Sequence, residues 1–408
     1  MSSPSPLSGV RVLEFGTFVT GPYAAGMLGD LGADVIKVER PPGGDPMRGW
    51  DSTGRSPYFR AYNKSKRSVL LDLTAEKGLE ACHRLIAGAD VLVHNYRPSV
   101  ANRLGIGSRA ALELNPRLVY CQISGFGEAG PYAARPSYNQ VVQSMSGLDS
   151  LITDERDPSP VGPNFADTLT ALYACYGILA AMIKRDRTGA GSVVDTTMLA
   201  STTAFLSADV QEYLAHGTVP DRRSRPRFSQ SYMVTAGDGR ALTIHLSSPP
   251  KFWAAMLRAI GRDDLATRPE FATWSDRVRN YELLHRELTP IFAQRPREAW
   301  LSALEREDVP AAPVLDLAEA LRHPQAVSMG LVTELAGDSP VESGVRCPVL
   351  IDGQALPGAP APVVGAHTEQ ILLELGYPPD EIAAMSGPSP GVGDRSDRTG
   401  VTGTEGPP

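Results

Sequence analysis

The regular alternation of strand-like and helix-like segments over the first 125 residues constrains this chain more than any other feature. Val10 to Phe15 is a compact apolar run, Pro22 to Leu31 has a helical pattern and Asp34 to Glu39 reads as a second strand, which makes a βαβ unit. The pattern continues with a strand at Ser68 to Leu73, an amphipathic helix at Ala75 to Ile86, and strands at Asp90 to His94 and Leu118 to Ser124. Strands separated by helices predict a mostly parallel sheet covered on both faces, so the expected class is α/β with a Rossmann-like large domain.

Beyond Pro131 the chain is irregular until a long helix beginning near Asp167, followed by a strand at Ser192 to Thr197 and a second helix through about Leu214. The basic stretch Val219 to Ser231 reads as a linker. Two alternating runs joined by Gly237-Asp238-Gly239 then give a hairpin signal, and helical patterns follow at Pro250 to Ile260, Asp276 to Phe292 and Pro296 to Glu305. The expected organisation is a large domain over residues 1–218, a smaller α+β domain over 219–325, and a return to the large domain over 326–385 through Val345 to Ile351 and a helix from Thr368 to Leu375. Residues 386–408 are almost entirely Gly, Pro, Ser, Thr, Asp and Arg, a composition expected to stay disordered.

A formal net charge of -7 provides no global basic field, so neither nucleic acid nor a membrane is an expected partner, and any anion must be held locally. The longest uncharged run, Thr168 to Ile183, is shorter than the roughly 20 residues of a membrane span and reads as a buried helix. No secretory signal is recognisable in the first residues, and the four cysteines, Cys82, Cys121, Cys175 and Cys347, form no close pair, so a reducing cytoplasm is expected. The seven histidines show no ligand spacing, and no metal is expected.

Gly16, Gly21 and Gly26 fall at five-residue intervals instead of the G-x-G-x-x-G that closes on a dinucleotide, so a tight turn with close helix packing is favoured over nicotinamide binding, even with Glu39 placed where a ribose ligand would lie. Arg40, Lys64, Lys66, Arg67, Arg97 and Arg103 fall at strand ends or in the loops after them, where α/β sheets bind ligands. They could grip phosphates, or be solvated surface charge. Asp167 is the sharpest single residue, because it precedes sixteen uncharged residues and so stands at the N-terminus of a buried helix. Helix capping explains such an aspartate well. The helix dipole and free amides there would equally keep a carboxylate ionised and stabilise an adjacent oxyanion, which suits a nucleophile toward an activated acyl group. A serine-hydrolase elbow is missing, since Gln143-Ser144-Met145-Ser146-Gly147 lacks the first glycine, and there is no P-loop lysine motif.

Several segments, in order, resemble the class III CoA-transferases, a family that includes formyl-CoA transferase and carnitine CoA-transferase and is related to α-methylacyl-CoA racemase. They are Leu7 to Phe15, Gly21-Pro22, Leu31 to Pro41 with Gly44-Asp45, Asn63 to Ser68, Asn95 to Pro98 with Arg103-Leu104-Gly105, and Gly125-Phe126-Gly127 before Gly130-Pro131-Tyr132. The resemblance implies that coenzyme A binds at the mouth of the Rossmann-like domain against Val19, Arg40, Leu71, Asn95, Tyr96 and Arg103, with Arg97 as a further phosphate contact. It implies that Asp167 is the nucleophile and forms an aspartyl-CoA thioester, and that the subunits form an interlocked homodimer.

The racemases carry a Gly-His-Asp segment where this chain has Ser137-Tyr138-Asn139, and tyrosine is a poor acid–base partner at neutral pH. Asn139 also replaces the acidic residue usual in the transferases, and basic Arg222 to Gln230 replaces the glycine-rich lid of formyl-CoA transferase, so oxalate and formyl-CoA are not the expected substrates. The expected function is transfer of CoA from an acyl-CoA donor to a carboxylic acid. The alternatives are an acyl-CoA racemase or isomerase on the same scaffold, and a CoA- or nucleotide-binding protein without catalysis.

Overall fold

In a computed structural model, six parallel strands make the central sheet: β1 (Arg11–Glu14), β2 (Asp34–Glu39), β3 (Lys66–Leu70), β4 (Val91–His94), β5 (Val119–Ser124) and β6 (Ser192–Thr197). Residues 5–51, 56–154, 156–247, 250–335, 342–356 and 358–386 are described. The strand order is β3-β2-β1-β4-β5-β6, so the direction of winding reverses between β1 and β4, and the loops after these two strands flank a crevice of the kind in which such sheets bind ligands.

Alternate residues of β1, β2, β4 and β5 feed two cores. Leu13, Ile36, Leu92 and Tyr120 face one side, where they pack with Ala81, Cys82, Leu85 and Ile86 of the Glu76–Ala87 helix and with Ile371 and Leu372 near the C-terminus. Val12, Val35, Val91 and Val119 face the other, against Ala24, Ala25 and Leu28 of the Thr20–Asp30 helix and Ala171, Ala174 and Ile178 of the Phe165–Thr188 helix. Period-two alternation with both faces apolar is what a doubly covered parallel sheet requires. The Phe165–Thr188 helix is long and apolar enough by length and composition to cross a membrane, but here one face lies in the sheet's core.

The chain divides into two compact units: residues 1–137, 167–198 and 334–408, and residues 138–166 with 199–333. The sequence reading ends the large domain at 218 and resumes it at 326; the second unit instead begins earlier and takes in 138–166 and 199–218. The Ser207–His216 helix buries none of its residues, so its apolar positions say little about which core it belongs to. Within the second unit, β7 (Ser231–Thr235), β8 (Ala241–His245) and β9 (Ala311–Pro313) form an antiparallel sheet. Tyr232, Val234, Leu242 and Ile244 pack with Trp253, Met256, Leu288, Phe292 and Trp300 into a single core.

Some elements differ from expectation. β3 begins at Lys66, because pairing of Val35 with Lys66 places a buried lysine inside the strand. The helix expected over Asp276 to Phe292 is two, Trp274–Arg279 and Tyr281–Phe292, separated at Asn280, whose amide donates to Glu270 O. The expected linker contains a short helix, Ser224–Ser229. Val345 to Ile351 is not a core strand: Glu342–Val345 pairs with Val332–Leu335, and Val349 and Leu350 are exposed. The expected disordered tail lies outside the described residues, except Ser386, which ends the Pro379–Ser386 helix.

Gly78 sits in the Glu76–Ala87 helix, where a Cβ would collide with the carbonyl oxygen of Asp72. Alanine is the better helix former, yet Gly78→Ala should destabilise the protein by about 1–3 kcal/mol because the clash outweighs propensity. A lowered urea midpoint at unchanged slope is the expected readout.

Candidate active site

A buried ionic cluster joins the end of β1, the middle of β2, the start of β3 and the loop after β2. Register places Glu14 opposite Lys37, and the Lys37 ammonium donates to Glu14 Oε2 at 3.0 Å and to Gly16 O at 2.9 Å, with Asp45 Oδ2 at 3.1 Å. Lys66 Nζ lies 3.2 Å from the same Glu14 Oε2 and donates to Pro22 O at 2.7 Å and Asn63 Oδ1 at 2.8 Å. The side chains of Glu14, Lys37, Lys66 and Asp45 are 0% exposed. Burial pushes Lys66 down to about 8, with Glu14 opposing and Lys37 reinforcing the shift. Burial works against the charge on Lys37 too, but Glu14, Asp45 and Glu39 hold its pKa above the usual lysine value. Both ammonium groups bind carbonyls of the first βα turn, Gly16 and Pro22, and so fix the loop that carries Val19.

That loop is tight. A Cβ at Gly16 would meet Glu14 Oε1 and Pro22 Cδ, each at 2.8 Å, which is the close-packing role read for this glycine. Phe18 has φ +62°, a conformation costly for a bulky residue, and its N–H points to Asp45 Oδ1 at 3.3 Å. Across the crevice, the Asn95 amide accepts from Thr17 N–H at 3.0 Å and donates to Thr17 O at 2.7 Å and Thr20 Oγ at 3.0 Å. Asn95 thus ties the loop after β4 to the loop after β1, with both of its side-chain N–H donors committed.

The structure sorts the residues singled out in the sequence. Val19, Asn95, Tyr96 and Arg97 stand on the two loops at the β1/β4 reversal. Arg40 follows β2 and Leu71 follows β3 at the same edge, with Leu71 N–H bonded to Glu39 O. Arg103 ends the Pro98–Arg103 helix. Arg40, Arg97 and Arg103 are exposed, and none of their guanidinium groups makes an ion pair among the described residues. Val19 and Leu71 are buried apolar side chains.

Other candidates are committed elsewhere. Lys64 pairs with Asp30 at 2.7 Å, Lys66 belongs to the buried cluster, and Arg67 bridges Asp34 and Glu374. Glu39 is no ribose ligand: it is buried, held by Arg48 at 2.7 Å and Ser68 at 2.6 Å. Burial opposes its charge, but the Arg48 contact keeps its carboxyl below the usual range. The basic stretch of the second unit is also largely neutralised, with Arg222 on Asp154, Arg223 on Glu282 and Arg227 near Asp221. Among the described residues no cluster of His, Cys, Asp and Glu could hold a metal.

Asp167 is the third residue of the Phe165–Thr188 helix, inside the first turn and not at the capping position, and it is half-buried. Near the other end of this helix, Arg185 pairs with Asp90, just before β4, at 2.9 Å. The helix therefore runs opposite to the strands. Eighteen residues of helix rise about 27 Å, more than the roughly 13 Å from Asp90 to His94, so Asp167 is carried past the carboxyl edge of the sheet, the edge that holds Arg40, Asn95 and Tyr96.

Residues absent from the sequence-based site are Glu14, Lys37, Asp45 and Asn63. Their signal was a charge inside each of two apolar strands, Glu14 in β1 and Lys37 in β2, which a doubly covered sheet tolerates only if paired.

The fold is that of a doubly wound α/β protein with a ligand crevice at the β1/β4 reversal, and comparison with known proteins gives its class. The model of CoA-transferase family III matches residues 7–368, and the chain belongs to that family, also known as the CAIB/BAIF family. It is similar to the succinate–glutarate CoA-transferase of Agrobacterium fabrum, with 35% identity covering 91% of this chain and 96% of that protein. It is also similar to the acetyl-CoA:oxalate CoA-transferase of Acetobacter aceti, with 32% identity covering 87% and 92%. The crystal structure of a CAIB/BAIF family protein from Brucella suis superposes with a TM-score of 0.81 at 32% identity, covering 91% of this chain and all of that one. The protein is a class III CoA-transferase, which moves CoA between acyl donors and carboxylic acid acceptors, with acyl-CoA as co-substrate.

Glu14→Gln would leave two buried ammonium groups short of a carboxylate and should destabilise the fold by about 3–5 kcal/mol. Chemical denaturation measures this directly; a loss below about 1 kcal/mol would show that the cluster is not a structural requirement.

Proposed function

We propose that transfer proceeds through a covalent aspartyl-CoA thioester on Asp167. The observation that carries this reading is the position of Asp167 in the first turn of a 24-residue helix, beyond the sheet edge that holds the free arginines. The positive end of the helix favours negative charge there.

In this scheme the Asp167 carboxylate attacks the donor thioester carbonyl and expels CoA thiolate, leaving an acyl-aspartyl anhydride. The thiolate then attacks the aspartyl carbonyl, which forms the aspartyl-CoA thioester and releases the donor acid. The acceptor carboxylate attacks that thioester, again freeing thiolate and forming a second anhydride. Attack of thiolate on the acceptor carbonyl yields the new acyl-CoA and restores Asp167. Each half-reaction exchanges one thioester for another through a more reactive anhydride, so the overall transfer is nearly isoenergetic and exclusion of water from the anhydride is what the site must supply.

CoA is read as lying across the β1/β4 crevice, with Arg40, Arg97 and Arg103 toward its phosphates, Tyr96 beside it, and Val19, Leu71 and Asn95 in contact mainly through their backbone. Three exposed guanidinium groups without an ion pair at one sheet edge support this placement. The curated relatives named above act on dicarboxylic acids, and a dicarboxylate acceptor is proposed here too. Tyr138 is 66% exposed and begins the turn into the Asn139–Met145 helix; as the residue at the racemase histidine position, it gives no support to proton exchange.

Incubation with an acyl-CoA followed by hydroxylamine should convert Asp167 to a hydroxamate detectable by peptide mass spectrometry. Asp167→Asn should abolish the label and lower transfer by at least about 10³-fold. Failure to label across a broad acyl-CoA panel would sink the covalent route.

A cytoplasmic homodimer, interlocked as in the family, is part of the same proposal; four buried, unpaired cysteines support the compartment. Leu172, Tyr173, Tyr176 and Ile183 are exposed along the Phe165–Thr188 helix, with Tyr176 at 72%, an apolar surface that a lone soluble chain rarely leaves open. Light scattering after size exclusion should return twice the chain mass of 43.6 kDa, and a stable monomer would refute the dimer.

A further inference from the structure

Between β4 and β5 a single buried relay closes the loop that carries Tyr96, Arg97 and Arg103. His94, the last residue of β4, and Tyr120 of β5 are both 0% exposed. Tyr120 donates its one hydroxyl proton to Ile106 O at 2.9 Å, so toward His94 Nε2, 2.7 Å away, its oxygen can only accept. Nε2 therefore carries the imidazole proton. Nδ1 is left bare, and it accepts Tyr96 N–H at 3.2 Å. The His94 and Tyr120 rings meet edge to face, with centroids 5.3 Å apart, while the Tyr96 ring lies 6.1 Å from His94 at 28° to its plane. Burial pushes the imidazole down to about 4, which keeps it neutral and in this one tautomer at physiological pH.

The ends of the relay are the informative part. Tyr96 N–H opens the segment 96–106 and Ile106 C=O closes it. Inside it, Arg97 precedes the Pro98–Arg103 helix, Arg103 lies in its last turn, and Ile106 N–H returns to Ala101 O at 3.1 Å. A helix of six residues holds little stability by itself, so its orientation must come from these anchors. We propose that His94 is a positioning residue for CoA, which through Tyr120 fixes both ends of the loop that presents Tyr96, Arg97 and Arg103. This rests on the reading that those side chains grip the CoA donor, and His94 itself touches no substrate.

Tyr120→Phe is the direct probe, because it keeps the ring and removes only the hydroxyl that joins His94 to Ile106. In the full-length enzyme, amide exchange over residues 96–106 should speed up, KM for the acyl-CoA donor should rise about five- to tenfold, and kcat at saturating donor should stay within about twofold. KM for the acceptor acid should not move. His94→Asn keeps an acceptor near the Nδ1 position and should perturb donor KM less than His94→Leu, which removes both links. Nitrogen NMR of the wild-type imidazole should show the Nε2–H tautomer. Unchanged amide exchange in Tyr120→Phe, or the opposite tautomer, would overturn the relay whatever happens to activity. Faster exchange with donor KM unchanged, while Arg103→Ala raises it, would overturn the positioning role alone. If Arg97→Ala and Arg103→Ala both leave donor KM unchanged, the placement of CoA fails, and the role of His94 with it.

Discussion

Everything at the ligand edge of the sheet depends on the buried contact of Lys37 and Lys66 with one carboxylate, Glu14. Removing such charges from water costs several kcal/mol per ion, and their attraction returns that only with good geometry and further hydrogen bonds. Here the further bonds are the carbonyls of Gly16 and Pro22 and the side chain of Asn63. The cluster therefore does more than neutralise itself. Two of the contacts made by its ammonium groups, to Gly16 O and Pro22 O, fall on backbone around the first βα turn, and Asp45 brings its second oxygen to the N–H of strained Phe18. A hydrophobic replacement of similar volume could match the stability, but it would leave that turn without fixed carbonyls. The cost of burying charge makes sense here as the means of holding a loop in an otherwise unfavourable shape.

The same logic separates the basic residues into two populations. Lysines 37, 64 and 66 are consumed by carboxylates inside the first unit, as is Arg67. Arg40 and Arg97 after β2 and β4, and Arg103 at the end of the Pro98–Arg103 helix, remain exposed, and each carries a planar fork suited to phosphate. A chain with net charge -7 can in this way present a local cationic mouth without becoming a general polyanion binder. Folding consumes these lysines, and the arginines left without an ion pair are the ones assigned to CoA in the proposed function.

The sheet was legible because its strands carry short apolar and β-branched runs between turn signals, as at Asp34–Glu39 and Ser192–Thr197, where the expected and observed limits coincide. β3 was displaced by two residues because Lys66 and Arg67 look like loop charges until their partners on β1 and β2 are known. β9 was missed because a three-residue strand ending at Pro313 carries no periodicity of its own. At the site, Asp167 was visible but ambiguous, since a cap and a nucleophile call for the same residue at the same end of a helix. Glu14 and Asp45 were invisible as site residues, because their roles are created by register and by a loop that folds back. Which charge is spent on structure is a long-range property, and local pattern cannot carry it.

The Phe165–Thr188 helix joins these threads. Its sheet-facing side uses small residues, Ala171, Ala174 and Gly177, so the helix approaches the strands closely; a Cβ at Gly177 would lie 2.8 Å from Val194 Cγ1. That close packing fixes the direction and reach of the helix, and hence where Asp167 emerges. Its other side leaves Leu172, Tyr176 and Ile183 open to water. On the proposed mechanism an aspartyl anhydride must outlast its encounter with water, and a half-buried carboxylate on a lone chain offers incomplete protection. An apolar surface beginning five residues beyond the nucleophile is where a second subunit would add shielding, so the same helix that aims the carboxylate also provides the surface on which its cover can seat.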